Sequence, residues 1–70
     1  MARIAIDEKL IGYDTNGKKL IAAHFICDSE TDLPTQTEYT DYILYLGCTA
    51  HCIEEQTNHE LKSDGTWKQV

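Results

Sequence analysis

Hydrophobic and polar residues alternate along much of this chain, most clearly over Tyr42–Ile53. Side chains at every second position of a strand lie on the same face of a sheet. A period of two therefore predicts a strand through this stretch. Gly47, near its middle, is a candidate β-bulge, because glycine tolerates the irregular backbone of a bulge. The even positions form the apolar face, with Tyr42, Leu44, Leu46, Cys48, Ala50 and Cys52.

The N-terminal part of the chain predicts a β-hairpin. Short apolar segments at Arg3–Asp7 and Leu10–Tyr13 are followed by Asp14–Gly17, which contains the Asn-Gly pair typical of tight hairpin turns. The return segment, Lys18–Cys27, fits both the helical and the strand period. Helical spacing aligns one set of apolar residues, and strand spacing aligns another. The preceding turn and the β-branched and aromatic residues favour the strand.

A capped turn and a surface connection follow the hairpin. Ser29 precedes Asp32 by three residues, as in a capped helical turn. Pro34 disfavours a helical backbone at the residue before it, so Leu33 is predicted to be extended. Thr35–Asp41 has little apolar content and predicts a connection on the surface.

Two hairpins are predicted in the last part of the chain. A three-residue loop at Gln56–Asn58 would place Ile53 opposite Leu61, and one at Ser63–Gly65 would place Leu61 opposite Trp67. Both loops thus align three large apolar side chains on one face. This agreement predicts a three-stranded meander closed by the tryptophan.

Together these elements predict an all-β fold, a small antiparallel sheet of hairpins and a meander, with a turn or a single helical turn near 29–33. The chain of 70 residues is long enough for one domain, 1–70, with an N-terminal hairpin region, 1–28, and a C-terminal meander, 42–70. A single core of this size rarely contributes more than ~3–5 kcal/mol of net stability. We therefore expect self-association or tight docking on a partner.

Composition narrows the classes of partner. The net charge is −6, from 12 acidic and 6 basic residues, and only Lys18 and Lys19 are adjacent basic residues. Phosphate backbones and anionic membranes both attract basic surfaces, so we expect no nucleic-acid partner and no membrane partner. Three cysteines, an odd number, without a visible export signal predict free thiols and synthesis in a cytoplasm.

The stretch Gly47–Leu61 holds two of the three cysteines and two of the three histidines, which raises the question of a metal site. Along a strand, Cys48 and Cys52 are roughly 13 Å apart, too far to share one zinc ion or to form a disulfide. We therefore expect no metal and no cofactor, and we predict that the cysteines are buried as small hydrophobic side chains. His51 and His59 are predicted at the sheet surface or in a partner contact.

Two further interpretations of these residues remain open. Cys27 or His24 could come across the sheet to join one of the later cysteines and complete a metal site. A reactive Cys–His pair needs an activated thiolate beside an oriented base, and His24 with Cys27, or His59 beside Glu60, is only a loose candidate. A small all-strand domain offers little supporting structure around a site, so we expect no catalytic residues and no enzyme.

Three segments, CDSETDLPT, GCTAHCIEE and HELKSDGTWKQV, resemble a module in small structural proteins of tailed bacteriophages. In that family a DLP segment precedes a Gly-Ser-Thr-Ala-type strand, an Ile-Asp turn and a strand with an aromatic residue, and the module closes on an Asn/Asp-Gly-x-Trp hairpin. The resemblance covers Phe25–Val70. The chain departs from it at Cys48, where serine is commoner, at Glu54, where aspartate is commoner, and at His59, where an apolar or aromatic residue is expected.

The resemblance implies a virion structural protein of the head or the tail, such as a decoration, a fibre or a connector-associated module, made in the host cytoplasm. It implies no catalytic residues, and it implies partners that are other virion proteins and the chain itself, with a trimer as the first expectation. The alternative class is a small intracellular binding module, with or without a metal held by Cys and His. Candidate structural or interface residues are Tyr42, Leu44, Tyr45, Leu46, Ile53, Leu61 and Trp67.

Overall fold

The computed structural model describes residues 2–70, so Met1, where the predicted hairpin region begins, lies outside the described residues. The described residues form one sheet of six strands and one turn of 3-10 helix at Glu30–Asp32. The all-β class and the helical turn near 29–33 are both confirmed. The strands are β1 (Arg3–Tyr13), β2 (Lys19–Cys27), β3 (Tyr42–Leu44), β4 (Thr49–Cys52), β5 (Thr57–Leu61) and β6 (Trp67–Gln69).

The sheet is mixed, not purely antiparallel. Its strand order is β1-β2-β4-β5-β6, and β3 lies beside the first half of β2. β2 pairs antiparallel with β1 but parallel with both β3 and β4, so the expectation of antiparallel pairing is wrong for these two pairs. Parallel neighbours require a long crossover connection, which residues 28–41 supply. Alternation within a strand carries no information about the direction of its neighbour.

β1 and β2 form the predicted N-terminal hairpin. The segment Lys18–Cys27, which fitted both the helical and the strand period, is a strand over Lys19–Cys27. The Asp14 carboxylate accepts hydrogen bonds from the backbone N–H groups of Asn16 at 2.9 Å and Lys18 at 2.8 Å, which stabilises the turn. The two short pieces expected before the turn are one strand of 11 residues. Register shifts and a left-handed backbone at Asp7 (φ 54°) make that strand irregular.

The single strand predicted over Tyr42–Ile53 is wrong, because the chain turns at Gly47 and forms β3 and β4 instead. Gly47 has φ 101°, and the Cys48 N–H donates to the Tyr45 carbonyl at 3.3 Å across the turn. Glycine adopts this backbone without a steric penalty from Cβ. The residue predicted as a bulge therefore ends one strand, and β3 and β4 lie one after the other along β2.

The second hairpin of the meander is confirmed. β5 and β6 join through residues 63–65 and place Leu61 opposite Trp67. Gly65 takes the left-handed position of the loop, with φ 91°, and its N–H donates to the Lys62 carbonyl at 3.0 Å. Turn chemistry alone was sufficient to predict this loop, because only glycine adopts that backbone freely.

The first hairpin of the meander has a different register from the predicted one. β4 and β5 pair Cys52 with Thr57, so the loop is 53–56 and Ile53 does not face Leu61. The observed register keeps the buried face of β4 in line with the buried face of β5. A shift of one residue would have moved one of these sets to the solvent side. Burial therefore decided the register, and Ile53 is exposed.

The core lies on one face of the sheet, between the strands and the connection 28–41. The Trp67 ring meets Phe25 edge to face, with centroids 6.3 Å apart, and its indole N–H donates to the Pro34 carbonyl at 2.7 Å. These contacts hold the last strand and the connection against the centre of the sheet. The buried hydrophobic residues are Ala23, Phe25, Cys27, Leu44, Cys48, Ala50, Cys52 and Leu61.

The opposite face of the sheet, called the open face below, carries side chains that are exposed or only half-buried. Strand alternation and the pairing register place two kinds of residue there. Polar side chains cover most of it, as expected for a sheet face in contact with water, and isoleucines lie on its β1 side. The open face consists of Ile4, Ile6, His24, Ile26, Thr49, His51, Asn58, Glu60 and Lys68.

Candidate functional site

The three cysteines are buried free thiols, which confirms the prediction that they act as small hydrophobic side chains. β2 and β4 place Cys27 directly beside Cys52. Burial, followed by the charge of Cys52, raises the pKa of the Cys27 thiol to about 11. Burial also raises the pKa of Cys48 and of Cys52. The thiols are therefore protonated at neutral pH, and the thiolate is the form that attacks substrates and binds metals.

His59 is buried, with 6% of its surface exposed, so the expectation of a surface position is wrong. Its Nε2 lies 2.9 Å from the Thr57 hydroxyl, and that hydroxyl donates to a Glu30 carboxylate oxygen at 3.2 Å. The Thr57 hydroxyl has one hydrogen, which it donates to Glu30. In the bond between His59 and Thr57, the imidazole Nε2–H is therefore the donor. A buried imidazole requires such partners. The three side chains tie β5 to the 3-10 turn.

The other two histidines lie on the open face and bond to neighbouring strands. His24 Nδ1 lies 2.6 Å from Thr49 Oγ1, and His51 Nδ1 lies 3.0 Å from Asn58 Oδ1. The sheet separates His24 from the cysteines, which are in the core on the other face. Across residues 2–70, no three His, Cys, Asp or Glu side chains are grouped so that they could hold one metal ion.

The candidate interface residues divide between the core and the surface. Leu44 and Leu61 are buried, at 0% and 3% exposure. The aromatic candidates are partly buried: Tyr42 stacks on Tyr39 with ring centroids 5.0 Å apart, and its hydroxyl donates to Glu8. Tyr45 and Trp67 are also partly buried, whereas Leu46 and Ile53 are 51% and 53% exposed.

Sequence reasoning missed the largest group of exposed hydrophobic side chains, which lies on β1. This strand is an edge of the sheet, and none of its residues is buried. A signal was present in the sequence: the adjacent charges Asp7, Glu8 and Lys9 interrupt the apolar pattern, as is typical of edge strands. The exposed hydrophobic residues are Ile4, Ile6, Leu10, Ile11 and Tyr13, between 40% and 61% exposed.

A groove lies at the other edge of the sheet, where the β5–β6 hairpin meets the turn between β3 and β4. Its volume is about 410 Å³. Apolar side chains form its walls, and two lysines flank them. We call it the lysine groove; it is lined by Leu46, Glu60, Leu61, Lys62, Ser63, Lys68 and Val70.

The fold and these surfaces define a class, a small all-β protein built on one mixed sheet with one covered face. Comparison with protein families, with curated proteins and with solved structures finds no match to this chain. Within residues 2–70, no helix has the length and apolar character that crossing a membrane requires.

Proposed function

We propose that this chain is a structural assembly protein of a tailed bacteriophage particle, a small β module of the head or tail that acts by docking on other protein surfaces. The motifs of Phe25–Val70 that resemble such proteins motivate the viral setting. The observation that carries the docking role is the exposure of β1, an edge strand of 11 residues on which the large hydrophobic side chains lie open to water.

Exposed apolar surface of this kind favours association. Removing apolar area from water contributes about 25 cal/mol per Å², so covering one half-exposed isoleucine contributes on the order of 1–2 kcal/mol. Ile4 and Ile6 occupy the open face beside Ile26, which makes one continuous apolar area. A partner that covers this area supplies the stability that a core of this size lacks.

The centre of β1 limits which partner can dock there. Asp7, Glu8 and Lys9 place charges between the apolar ends of the strand, and the register shift at this point interrupts its regular hydrogen-bonding edge. The charges and the register shift both disfavour unselective pairing of strand edges. Docking therefore requires a surface that matches the apolar side chains and also the charges, which is what a specific assembly contact requires.

The test is the protein content of purified particles of the virus that encodes the chain. We expect the wild-type chain at a fixed ratio to the major capsid protein, measured by quantitative mass spectrometry of gradient-purified particles. Ile4→Asp combined with Ile6→Asp, two exposed positions, should deplete it from particles. The matched control, Thr15→Asp with Asn16→Asp in the exposed hairpin turn, adds the same charge away from the apolar area and should leave incorporation unchanged. Absence of the wild-type chain from particles would contradict the proposal.

A further inference from the structure

We propose that the lysine groove of one copy binds the β1 strip of a second copy, where the β1 strip is Ile4, Ile6 and Asp7. This inference rests on the proposed assembly role and names the partner as another molecule of the same chain. Two surfaces at opposite edges of the sheet carry it: one is an apolar groove flanked by lysines, and the other is an exposed apolar strip that carries a carboxylate.

The groove has the chemistry to accept an apolar segment that carries a negative charge. Its most accessible apolar side chains are Leu46 and Val70, at 51% and 67% exposure. Lys62 and Lys68 flank them, and Glu60 is the one acidic side chain of the lining, so lysine side chains outnumber acidic ones there. That excess stands out in a chain whose net charge is −6.

The β1 strip is the matching surface. Ile4 and Ile6 are 59% and 40% exposed, and the exposed Asp7 follows them directly. Among residues 2–70, neither Asp7 nor Lys68 takes part in an ion pair, and Lys62 has only an exposed partner, Asp64, at 3.7 Å. Opposite charges that have no partner within one copy are available to a second copy.

The positions of the two surfaces require two copies for the contact. The strip lies on β1 and the groove on β5 and β6, at opposite ends of the strand order. Four steps between neighbouring strands separate these edges by roughly 19 Å. One copy cannot bring its own strip to its own groove. Each copy has one β1 strip and one lysine groove. The contact can therefore be made twice in a two-fold dimer or repeated around a closed ring such as a trimer.

The contact is tested by charge reversal in the groove. We expect the wild-type chain to associate at micromolar concentration, measured by sedimentation equilibrium, with association that weakens as salt screens the charges. Lys62→Glu with Lys68→Glu should weaken association at least about tenfold. The matched control is Lys18→Glu with Lys19→Glu, which makes the same change of net charge at exposed positions near the β1–β2 turn. This control should change the association constant less than about threefold. Equal loss in both variants would overturn the inference.

Cross-linking provides a second measurement that does not depend on a variant. A zero-length carbodiimide reagent joins a lysine amine to a carboxylate in direct contact. In a mixture of ¹⁵N-labelled and unlabelled chains, we expect mixed-isotope peptides that join Asp7 to Lys68 or Lys62, identified by mass spectrometry. An oligomer whose cross-links lie elsewhere, or a monomer up to about 100 µM, where a micromolar contact is saturated, would overturn the inference. A monomer that is still present in virus particles would overturn only this contact and leave the assembly role standing.

Discussion

Trp67 connects three parts of the fold through one side chain. It stands opposite Leu61 on β5, its ring meets that of Phe25 on β2 edge to face, and its indole N–H donates to the Pro34 carbonyl in the connection at 2.7 Å. Aromatic pairs of this geometry contribute beyond the area that they bury. The residue therefore closes the meander and also fastens the segment that covers the core.

Replacing Trp67 should separate these two contributions. We expect Trp67→Ala to lower the unfolding free energy by about 3 kcal/mol, because it removes the ring from the core and leaves a cavity. In a domain with ~3–5 kcal/mol in total, this change should remove most of the stability of the isolated chain. Trp67→Phe keeps most of the packing and should cost only about 1 kcal/mol for the lost hydrogen bond. Urea unfolding followed by circular dichroism measures both, and a similar loss in the two variants would contradict the packing role.

The Cys27 thiol should make the unfolding free energy depend on pH in the alkaline range. Burial raises the pKa of its thiol from 9.0 to about 11 in the folded chain. Between these two values the unfolded chain has lost the proton and the folded chain has kept it, so the unfolding free energy falls as the pH rises. Below pH 9.0 the thiol should have no effect of this kind. Urea unfolding over this range should show a steeper fall for the wild type than for Cys27→Ala, and equal slopes would show that another group is responsible.

At the scale of elements, the turn at Gly47 decides how the sheet is assembled. It divides one apolar stretch into β3 and β4, which then share the length of β2 as parallel neighbours. The turn is held against β2, because the Tyr45 N–H donates to the Ile21 carbonyl at 3.1 Å and the Cys48 thiol to the same oxygen at 3.3 Å. The position of the turn therefore determines which residues reach the core.

A methyl group at Gly47 should disturb this turn. Its backbone has φ 101°, and an added Cβ would lie 3.1 Å from Ala22 Cβ, which is closer than ordinary contact. We expect Gly47→Ala to lower the unfolding free energy by about 1–3 kcal/mol. Gly12→Ala is the matched control, since nothing lies within 4 Å of an added Cβ there, and it should be close to neutral. Thermal unfolding compares the two variants, and a neutral Gly47→Ala would show that the turn adapts.

At the scale of the whole molecule, the chain covers one face of its sheet and leaves the other to water or to a partner. The described residues measure 36 × 20 × 18 Å, and β1, with 11 residues, would span roughly 33 Å if fully extended, from ten steps of ~3.3 Å. The exposed edge strand is therefore long compared with the molecule. An assembly contact at this edge would add to the stability of the folded chain, because only the native state presents it.

Thermal stability should therefore depend on protein concentration. If copies associate through native surfaces, the midpoint of unfolding rises with concentration, since binding to the folded state alone draws the equilibrium towards it. We expect a rise of several degrees over a hundredfold range for the wild type, measured by scanning calorimetry. Ile6→Asp, at an exposed position, should remove most of this dependence. A wild-type midpoint that is constant over the range would exclude self-association.

The sequence by itself determined the local elements of this protein. The Asn-Gly turn and the β-branched and aromatic residues identified β2 as a strand and not a helix. Turn chemistry located the turn at Asp14–Gly17, the 3-10 turn after Ser29 and the loop 63–65, which pairs Leu61 with Trp67. These features depend on a few neighbouring residues, on their side-chain period and on the backbone angles that glycine, proline and aspartate favour. The burial of the cysteines followed from the same local pattern.

Only the tertiary structure decided how these elements meet. The parallel pairing of β2 with β3 and β4, the end of a strand at Gly47, the register that exposes Ile53 and the burial of His59 all depend on residues far apart in the chain. Alternation shows that a strand has two faces, but not which strand lies beside it or which face another segment will cover. For the same reason the β1 strip and the lysine groove could not be identified before the strand order placed them at opposite edges of one sheet.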